Sequence, residues 1–313
     1  MSASLNKSSL TLSLMLIAAL LLGACQPAAA PTQAAQPTQA PAAADLLSEI
    51  NTRGTIRIST DLNYAPQSSG VDGAARAADT KCGGDELTAN QVEGFDIDTA
   101  VEIAKRLGVE PCFVTPSWDL ITAGSWGGRW DISVGSMTIT KQRQEVLWFS
   151  PGYYFTPAQL AATGDSGIAQ VEDISGKPVC AGSATTYESY LKGDDIGIPD
   201  ADIKVPPPPD VEVVSLDTDA LCAQAIQAGR TDFLAFMTSG TVVDQAIAQG
   251  IPVVKVGSPA FIEKLAVAID KASPKEPQSL LAAISQSVQD MHTDGTLTAS
   301  SIKWFGADLT VVP

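Results

Sequence analysis

Short β-rich runs alternating with stretches of helical periodicity predict an α/β fold built on parallel sheet. Three observations carry this. Thr55–Ser59 and Val211–Val214 are compact runs rich in β-branched residues, the composition that suits a strand. Phe95, Ile97, Ala100, Val101, Ile103, Ala104 and Leu107 recur at helical spacing, which marks one apolar face of a helix. Gly108, Gly229 and Gly295 stand just beyond such stretches, where a residue free to adopt positive φ closes a helix.

In chain order, Thr55–Ser59 follows Gly54 as the first strand. Ser68–Glu93 is rich in Gly, Ala and Asp and reads as a long loop pinned by Cys82. The helix that begins near Phe95 carries Asp96 and Asp98 at its start, where negative charge suits the helix dipole. Glu110–Thr115 is the next strand, Trp118–Ala123 a short helix and Asp131–Val134 a strand. The second half repeats the style. Pro178–Ala181 is a strand, Gly182–Thr186 a connecting loop and Tyr187–Leu191 a helix. Val211–Val214 is a strand, Ala220–Ala228 a helix, Phe233–Phe236 a strand, Val243–Gln249 a helix and Val253–Val256 a strand. The last helical run is Pro277–His292. Ligands of such sheets bind at the carboxyl ends of strands.

The 313 residues are enough for two domains or one large one. With 35 acidic against 19 basic residues the formal charge is −16, which argues against nucleic acid, since phosphate binding needs a cationic face. The single histidine, His292, weakens any His-based triad or His-rich metal site, and a capping or solvent-exposed place on the last helix is expected for it.

Residues 1–24 read as an export signal, with Lys7 as a thin cationic region and Leu10–Leu22 as the apolar stretch. Leu22-Gly23-Ala24-Cys25 resembles the lipobox of bacterial lipoproteins, which implies a diacylglyceryl-modified Cys25 after cleavage. From Gln26 to Ala44 the chain contains only Gln, Pro, Ala and Thr. That composition makes an extended linker with a reach of at most about 60 Å. No later run of about 20 apolar residues offers a membrane span. Cys82, Cys112, Cys180 and Cys222 remain, an even number in an exported chain. They suggest two disulfides with three possible connectivities. Metal would need clustered short spacings, and none occurs.

Gly94-Phe95-Asp96-Ile97-Asp98 entering a helix, Ser136-Met137-Thr138-Ile139-Thr140-Lys141-Gln142-Arg143, and Phe149-Ser150-Pro151-Gly152-Tyr153-Tyr154 together resemble the family 3 extracellular solute-binding proteins, the polar-amino-acid receptors of ABC importers. Asp294-Gly295-Thr296-Leu297 and Lys303-Trp304-Phe305-Gly306 add to the likeness, which covers roughly Ile50 to Thr310. The resemblance implies a type II periplasmic-binding-protein fold: two α/β lobes joined by two crossover strands, with the ligand cleft between them. Residues 1–24 are then the signal, 25–45 the tether, 46–157 plus 256–313 lobe 1 and 158–255 lobe 2. Pairing Cys82–Cys112 and Cys180–Cys222 keeps each disulfide within one lobe.

The resemblance also assigns the cleft. Arg143 matches the arginine that clamps a ligand α-carboxylate, a task for a planar, permanently charged, bidentate donor. Thr138 and Ser136 match positions that contact the carboxylate and amine. Ser183, Thr185 and Thr186 match a lobe-2 loop whose amides face the same carboxylate; plain N-capping is compatible with that role. Tyr64 and Trp118 match aromatic walls, and Asp61 a carboxylate that reads the ligand side chain or an ammonium. One position departs from the pattern. Five residues after the aspartate of Gly229-Arg230-Thr231-Asp232, where an aspartate usually meets the α-ammonium, stands Met237. A thioether cannot neutralise an ammonium. Asp61, or Thr238 and Ser239 with backbone carbonyls, must take over, or the ligand lacks an α-amine.

The expectation is a lipid-anchored, monomeric receptor on the extracytoplasmic membrane face. It needs no cofactor, binds a small carboxylate-bearing polar solute by hinge closure and hands it to a membrane permease. A dehydratase-like enzyme on the same fold, or a sensory subunit, is the alternative. The enzyme would need a general acid or base in the cleft, and Asp61 is the one carboxylate the matched motifs place there.

Overall fold

The computed structural model describes residues 44–311. The export segment, Cys25 and the tether up to residue 43 lie outside the described residues. Ala44 and Asp45 already belong to the body. The Glu276 amide donates to the Ala44 carbonyl, and Asp45 caps the first helix by accepting from the Ser48 amide at 2.8 Å.

That helix, α1 (Leu46–Arg53), leads through Gly54 into β1 (Thr55–Ser59). After β2 (Asn63–Tyr64), the stretch expected as loop contains small pieces of sheet: β3 (Ser68–Gly70), β4 (Leu87–Thr88) and β5 (Val92–Glu93). Then come α2 (Phe95–Leu107), β6 (Glu110–Val114), α3 (Trp118–Thr122), β7 (Ile132–Thr138), α4 (Lys141–Val146) and the 17-residue β8 (Leu147–Thr163). The second half holds β9 (Pro178–Gly182), α5 (Thr186–Lys192), β10 (Glu212–Leu216), α6 (Asp219–Gln227), β11 (Ala235–Ser239) and α7 (Gly240–Ala248). The 18-residue β12 (Val253–Asp270) follows, then α8 (Gln278–Thr293) and α9 (Thr296–Phe305).

Nine strands form one sheet in the order β10-β9-β11-β8-β12-β7-β1-β6-β4. The parallel pairs expected from strand–helix alternation are present as β1 with β6 and β7, and β9 with β10 and β11. The middle is different. β8 and β12 pair antiparallel with each other, β12 with β7 and β8 with β11. The two parallel halves are therefore joined by an antiparallel ribbon of two long strands. Register breaks between Val256 and Phe261, and again between Leu265 and Ala268, interrupt that ribbon. Such bulges bend a strand and raise its twist, so the two halves are not coplanar extensions of one another.

Each half has its own core. On the first, Phe95 and Ile103 of α2, Ile56 and Ile58 of β1, Tyr153 and Tyr154 of β8 and Ile284 of α8 pack in one cluster. On the second, Tyr187, Tyr190, Met237 and Phe261 lie in one cluster, and Phe233, Phe236 and Val243 in another beside it. Disulfides Cys82–Cys112 and Cys180–Cys222 are formed, the pairing expected from the resemblance. The Lys303-Trp304 pair has a structural task. Trp304 Nε1 and Lys303 Nζ both donate to Asp98 at 2.7 and 2.8 Å, which docks α9 on α2. His292 sits half-buried at the end of α8, 2.9 Å from the Gly152 carbonyl. No described helix is long and apolar enough to cross a membrane.

Candidate functional site

The strand ends of β1 and β7, the start of α3, the loop after β9 and the start of α6 converge on one cavity between the halves. Arg143 is its only cationic lining residue, against carboxylates from Asp61, Asp217, Asp219 and Glu263.

Arg143 comes from α4, whose N-cap Thr140 accepts from the Arg143 amide at 3.1 Å. Its side chain is 9% exposed. Nη1 donates to the Thr138 carbonyl at 3.1 Å and Nη2 to the Ala184 carbonyl at 3.2 Å, and the guanidinium carbon lies 5.5 Å from the centre of the Trp118 ring. Carbonyls and a ring face hold the charge without neutralising it. No carboxylate among the described residues lies within ion-pair distance of it. Burial accordingly pushes its pKa down to about 10 against the opposing charge of Glu263, since leaving water disfavours the charged form.

Ser136 shows the opposite arrangement, a side chain fully engaged by its own protein. Its Oγ donates to Asp96 at 2.7 Å and lies 2.6 Å from the Tyr154 hydroxyl, and its amide donates to Tyr153 Oη at 3.0 Å. These bonds hold Ser136 at φ 54°, a backbone region that a non-glycine residue occupies only where its surroundings over-determine it. Asp96, at the helix start where the dipole favours negative charge, is completely buried in this network. Burial raises its pKa to about 7 against the hydroxyls of Tyr153 and Ser136.

Two further buried carboxylates face the cavity. Asp219, at the start of α6, accepts from the Gly182 amide at 2.6 Å and from Thr238 Oγ1 at 2.8 Å. A Cβ on Gly182 would stand 2.6 Å from that carboxylate oxygen, so only glycine permits the approach. Burial lifts the Asp219 pKa to about 7, opposed by these two hydrogen bonds and reinforced by the charges of Asp61 and Glu263. Glu263, on β12, accepts from Thr138 Oγ1 at 2.6 Å, from Thr186 Oγ1 at 2.5 Å and from the Tyr187 hydroxyl. Burial also raises its pKa, opposed first by those three hydroxyls and then by Arg143. Tyr187 Oη lies 3.0 Å from Tyr64 Oη. Glu263 thus collects donors from both halves of the sheet onto one crossover strand.

Residues 86–307 match the model of the bacterial extracellular solute-binding proteins, family 3. The chain belongs to that family. It is similar to the L-cystine-binding protein TcyJ of Escherichia coli (strain K12), 29% identical over 269 residues that cover 85% of this chain and 88% of that protein. It is also similar to the histidine-binding periplasmic protein of the same strain, 27% identical over 258 residues, 81% of this chain and 88% of that one. Among solved structures, an ancestral arginine-binding protein bound to arginine matches with TM-score 0.65 and 27% identity, covering 81% of this chain and 99% of that chain. The ancestral amino-acid-binding protein AncCDT-1, a precursor of cyclohexadienyl dehydratase, matches with TM-score 0.65 and 28% identity over 83% and 99%. The fold is the type II periplasmic-binding-protein fold, with β8 and β12 as its crossover strands.

Of the positions singled out by resemblance to family 3, Asp61, Tyr64, Trp118, Ser136, Thr138, Arg143, Ser183, Thr185 and Thr186 all line the cavity. Met237 does not. Strand alternation on β11 turns it into the second-half core with Tyr187 and Phe261 and turns its neighbour Thr238 onto Asp219. The loop after β9 is also less open than expected. The amides of Gly182, Ser183 and Ala184 donate to Asp219, the Leu216 carbonyl and Glu188, and Thr185 caps α5 by accepting from the Glu188 amide. Asp61 is not the sole cleft carboxylate, since Asp217, Asp219 and Glu263 join it. Asp219 was signalled by Asp217-Thr218-Asp219 ahead of a helical run, a pattern that reads first as capping. Glu263 carried no signal, because a charged residue inside a hidden strand resembles a surface one.

Removing Glu263 leaves three buried hydroxyls without their acceptor, each costing on the order of 1 kcal/mol or more. Glu263→Ala is expected to lower the unfolding free energy by about 2–4 kcal/mol and Glu263→Gln by roughly half of that, because an amide can still accept from some of the hydroxyls. Denaturant unfolding followed by circular dichroism checks this. An alanine variant as stable as the parent would show that the cluster holds nothing.

Proposed function

We propose that this chain is the extracytoplasmic substrate-binding component of an ABC importer for an α-amino acid, working as a monomer tethered to the membrane face by lipid on Cys25. The observation that carries the reading is the Arg143 guanidinium: buried, held by carbonyls and a ring face, and lacking a carboxylate partner. A ligand carboxylate supplies the missing charge through a bidentate pair. Asp219 opens into the same cavity and supplies the counter-charge for an α-ammonium that Met237 cannot give. Membership of family 3, and relatives named for binding L-cystine and histidine, support binding over turnover and an amino acid over other carboxylates. The lipobox-like Leu22-Gly23-Ala24-Cys25 and the Pro/Ala/Gln/Thr tether support the anchor.

The moving parts are lobe 1, 46–157 plus 256–313, and lobe 2, 158–255. Their separate cores support a division of this kind, with Val256, Ala260 and Phe261 at the start of the second lobe-1 segment packing instead in the second core. So do the bonds that cross from one to the other, including Gln67 Nε2 to Thr241 Oγ1 at 2.5 Å and the Lys141 amide to the Gly197 carbonyl at 2.9 Å. Ligand contacts made from both lobes favour the closed arrangement, and a membrane permease reads that arrangement.

Isothermal titration across the proteinogenic amino acids should find at least one ligand, and Arg143→Ala should weaken it at least about 100-fold, the scale for leaving a buried charge unpaired. Undiminished binding by the variant would remove Arg143 from the site. The ammonium binds the ionised form of Asp219. Affinity should therefore rise with pH, at most about tenfold per unit below 7, and level off above it, where Asp219 is already ionised. Asp219→Asn should flatten the profile; an unchanged profile would place the ammonium elsewhere. Cys25→Ser should move the protein from the membrane fraction to the soluble fraction on cell fractionation, and retention in the membrane would exclude a Cys25 anchor.

A further inference from the structure

The charge inventory of the cleft does not balance for an ordinary zwitterion. An α-amino acid brings one carboxylate for Arg143 and one ammonium for Asp219. Asp61, Asp217 and Glu263, the last 1% exposed, are then left with no cation of their own. The space is uneven as well. The inner cavity has room of about 30 Å³, whereas the hollow that opens from it between Trp118 and Asp217 has about 600 Å³. The first figure is room for about two waters, too little for a whole amino acid, so a ligand must extend into a neighbouring hollow. Of the two that adjoin the cavity, the one beside Asp61 and Asp217 is the larger, at about 600 against about 400 Å³.

The outer hollow shares Asp61, Trp118, Ser183, Asp217 and Thr218 with the inner cavity and adds Asp119. Its lining contains three carboxylates, Asp61, Asp119 and Asp217, and no lysine, arginine or histidine. The Trp118 ring forms one wall, and an aromatic face attracts a cation. A distal positive charge entering this hollow meets three carboxylates and no lining cation, whereas a distal carboxylate meets three like charges and only neutral donors such as Asn63 and Ser117.

Resting on the amino-acid reading above, we propose that the site selects an α-amino acid with a second, distal positive charge and no distal carboxylate. The class is that of the basic amino acids, with Asp217 and Asp61 facing the distal cation in the outer hollow. Neutral amino acids leave the acidic hollow uncompensated. Cystine brings a distal ammonium but with it a second carboxylate, for which the lining holds no cation, so this chain parts from its cystine-binding relative in ligand.

The test is isothermal titration of the full-length protein in detergent. It is first unfolded in guanidinium with its disulfides intact and refolded, to strip co-purified ligand. The titrants are L-arginine, L-lysine and L-ornithine, with L-citrulline and L-norleucine as neutral matches, L-cystine as a distal zwitterion and L-glutamate as a distal acid. At least one basic amino acid should bind at least about tenfold more tightly than its neutral match, and more tightly than cystine or glutamate. Asp217→Asn should cut the arginine-to-citrulline ratio several-fold. The arginine affinity should fall with added NaCl more steeply than the citrulline affinity, because the partly exposed distal pair is screened. Neutral amino acids or cystine binding as tightly as the basic ones would overturn the proposal while leaving an amino-acid receptor. A ratio unmoved by Asp217→Asn would overturn the place assigned to the distal charge. Binding of no amino acid would overturn the reading on which the proposal rests.

Discussion

A guanidinium taken out of water with only carbonyls and a ring face around it is the constraint on which the cleft depends. Arg143 is buried by α4, by the Trp118 ring and by the Ala184 carbonyl from the opposite half. Leaving water costs an ion several kcal/mol even after the protein relaxes, and that cost lowers the arginine pKa to about 10. The architecture answers it by gathering negative charge at a distance. Glu263 lowers the electrostatic cost without forming an ion pair that would occupy the fork. The guanidinium stays charged and its hydrogen-bonding geometry stays available. An ion pair with Glu263 would satisfy both groups and leave nothing with which to recognise a carboxylate.

The second charge is arranged on the same logic from another element. In the pattern the chain resembles, the counter-charge for an ammonium stands on the strand that here is β11, at the position of Met237. Here the strand presents Thr238, and in the function proposed above the carboxylate is that of Asp219 at the start of α6, tied to Thr238 Oγ1 and the Gly182 amide. The substitution is not local. It needs glycine at 182, because a Cβ there would collide with the Asp219 carboxylate. It also frees position 237 for an apolar side chain that completes the second-half core. Moving a charge by one element thus changes a core position and a turn position together.

The fold was legible where periodicity and punctuation agree. α2, with its apolar stripe closed by Gly108, and β9 followed by the Gly182 turn appear close to where the sequence put them. The two longest strands were not legible from pattern. β8 contains Pro151, Gly152 and Pro157, residues that ordinarily demote a run. β12 carries Lys255, Glu263 and Lys264 ahead of Leu265–Asp270, which is buried on both faces. Register shifts on their shared ladder fall at Gly257–Ala260 and beside Pro151 and Gly152, and a bulge has no signature in single-sequence periodicity. Only the family motifs pointed to crossover strands. In the cleft, Arg143 and Trp118 were legible because a buried bidentate cation and an aromatic wall are specific demands tied to specific motifs. Asp219 was hidden because Asp and Thr before a helix read equally as capping. Glu263 was hidden with the strand that carries it.

The position of Glu263 links recognition to movement. A crossover strand is the element that must deform when two lobes part, and Glu263 lies on it between a donor from β7, Thr138, and two from α5, Thr186 and Tyr187. Opening the cleft pulls the α5 donors away from the carboxylate while Thr138 stays with it. Water must then replace two buried hydrogen bonds at a charged group. Protein contacts alone therefore favour closure to a degree, and a ligand adds to that balance only through contacts it makes in the closed arrangement and not in the open one. The Arg143 bond to the Ala184 carbonyl also crosses the cleft, so the closed arrangement fixes the plane of the guanidinium from both sides and removes freedom that any partner of its fork would otherwise have to quench.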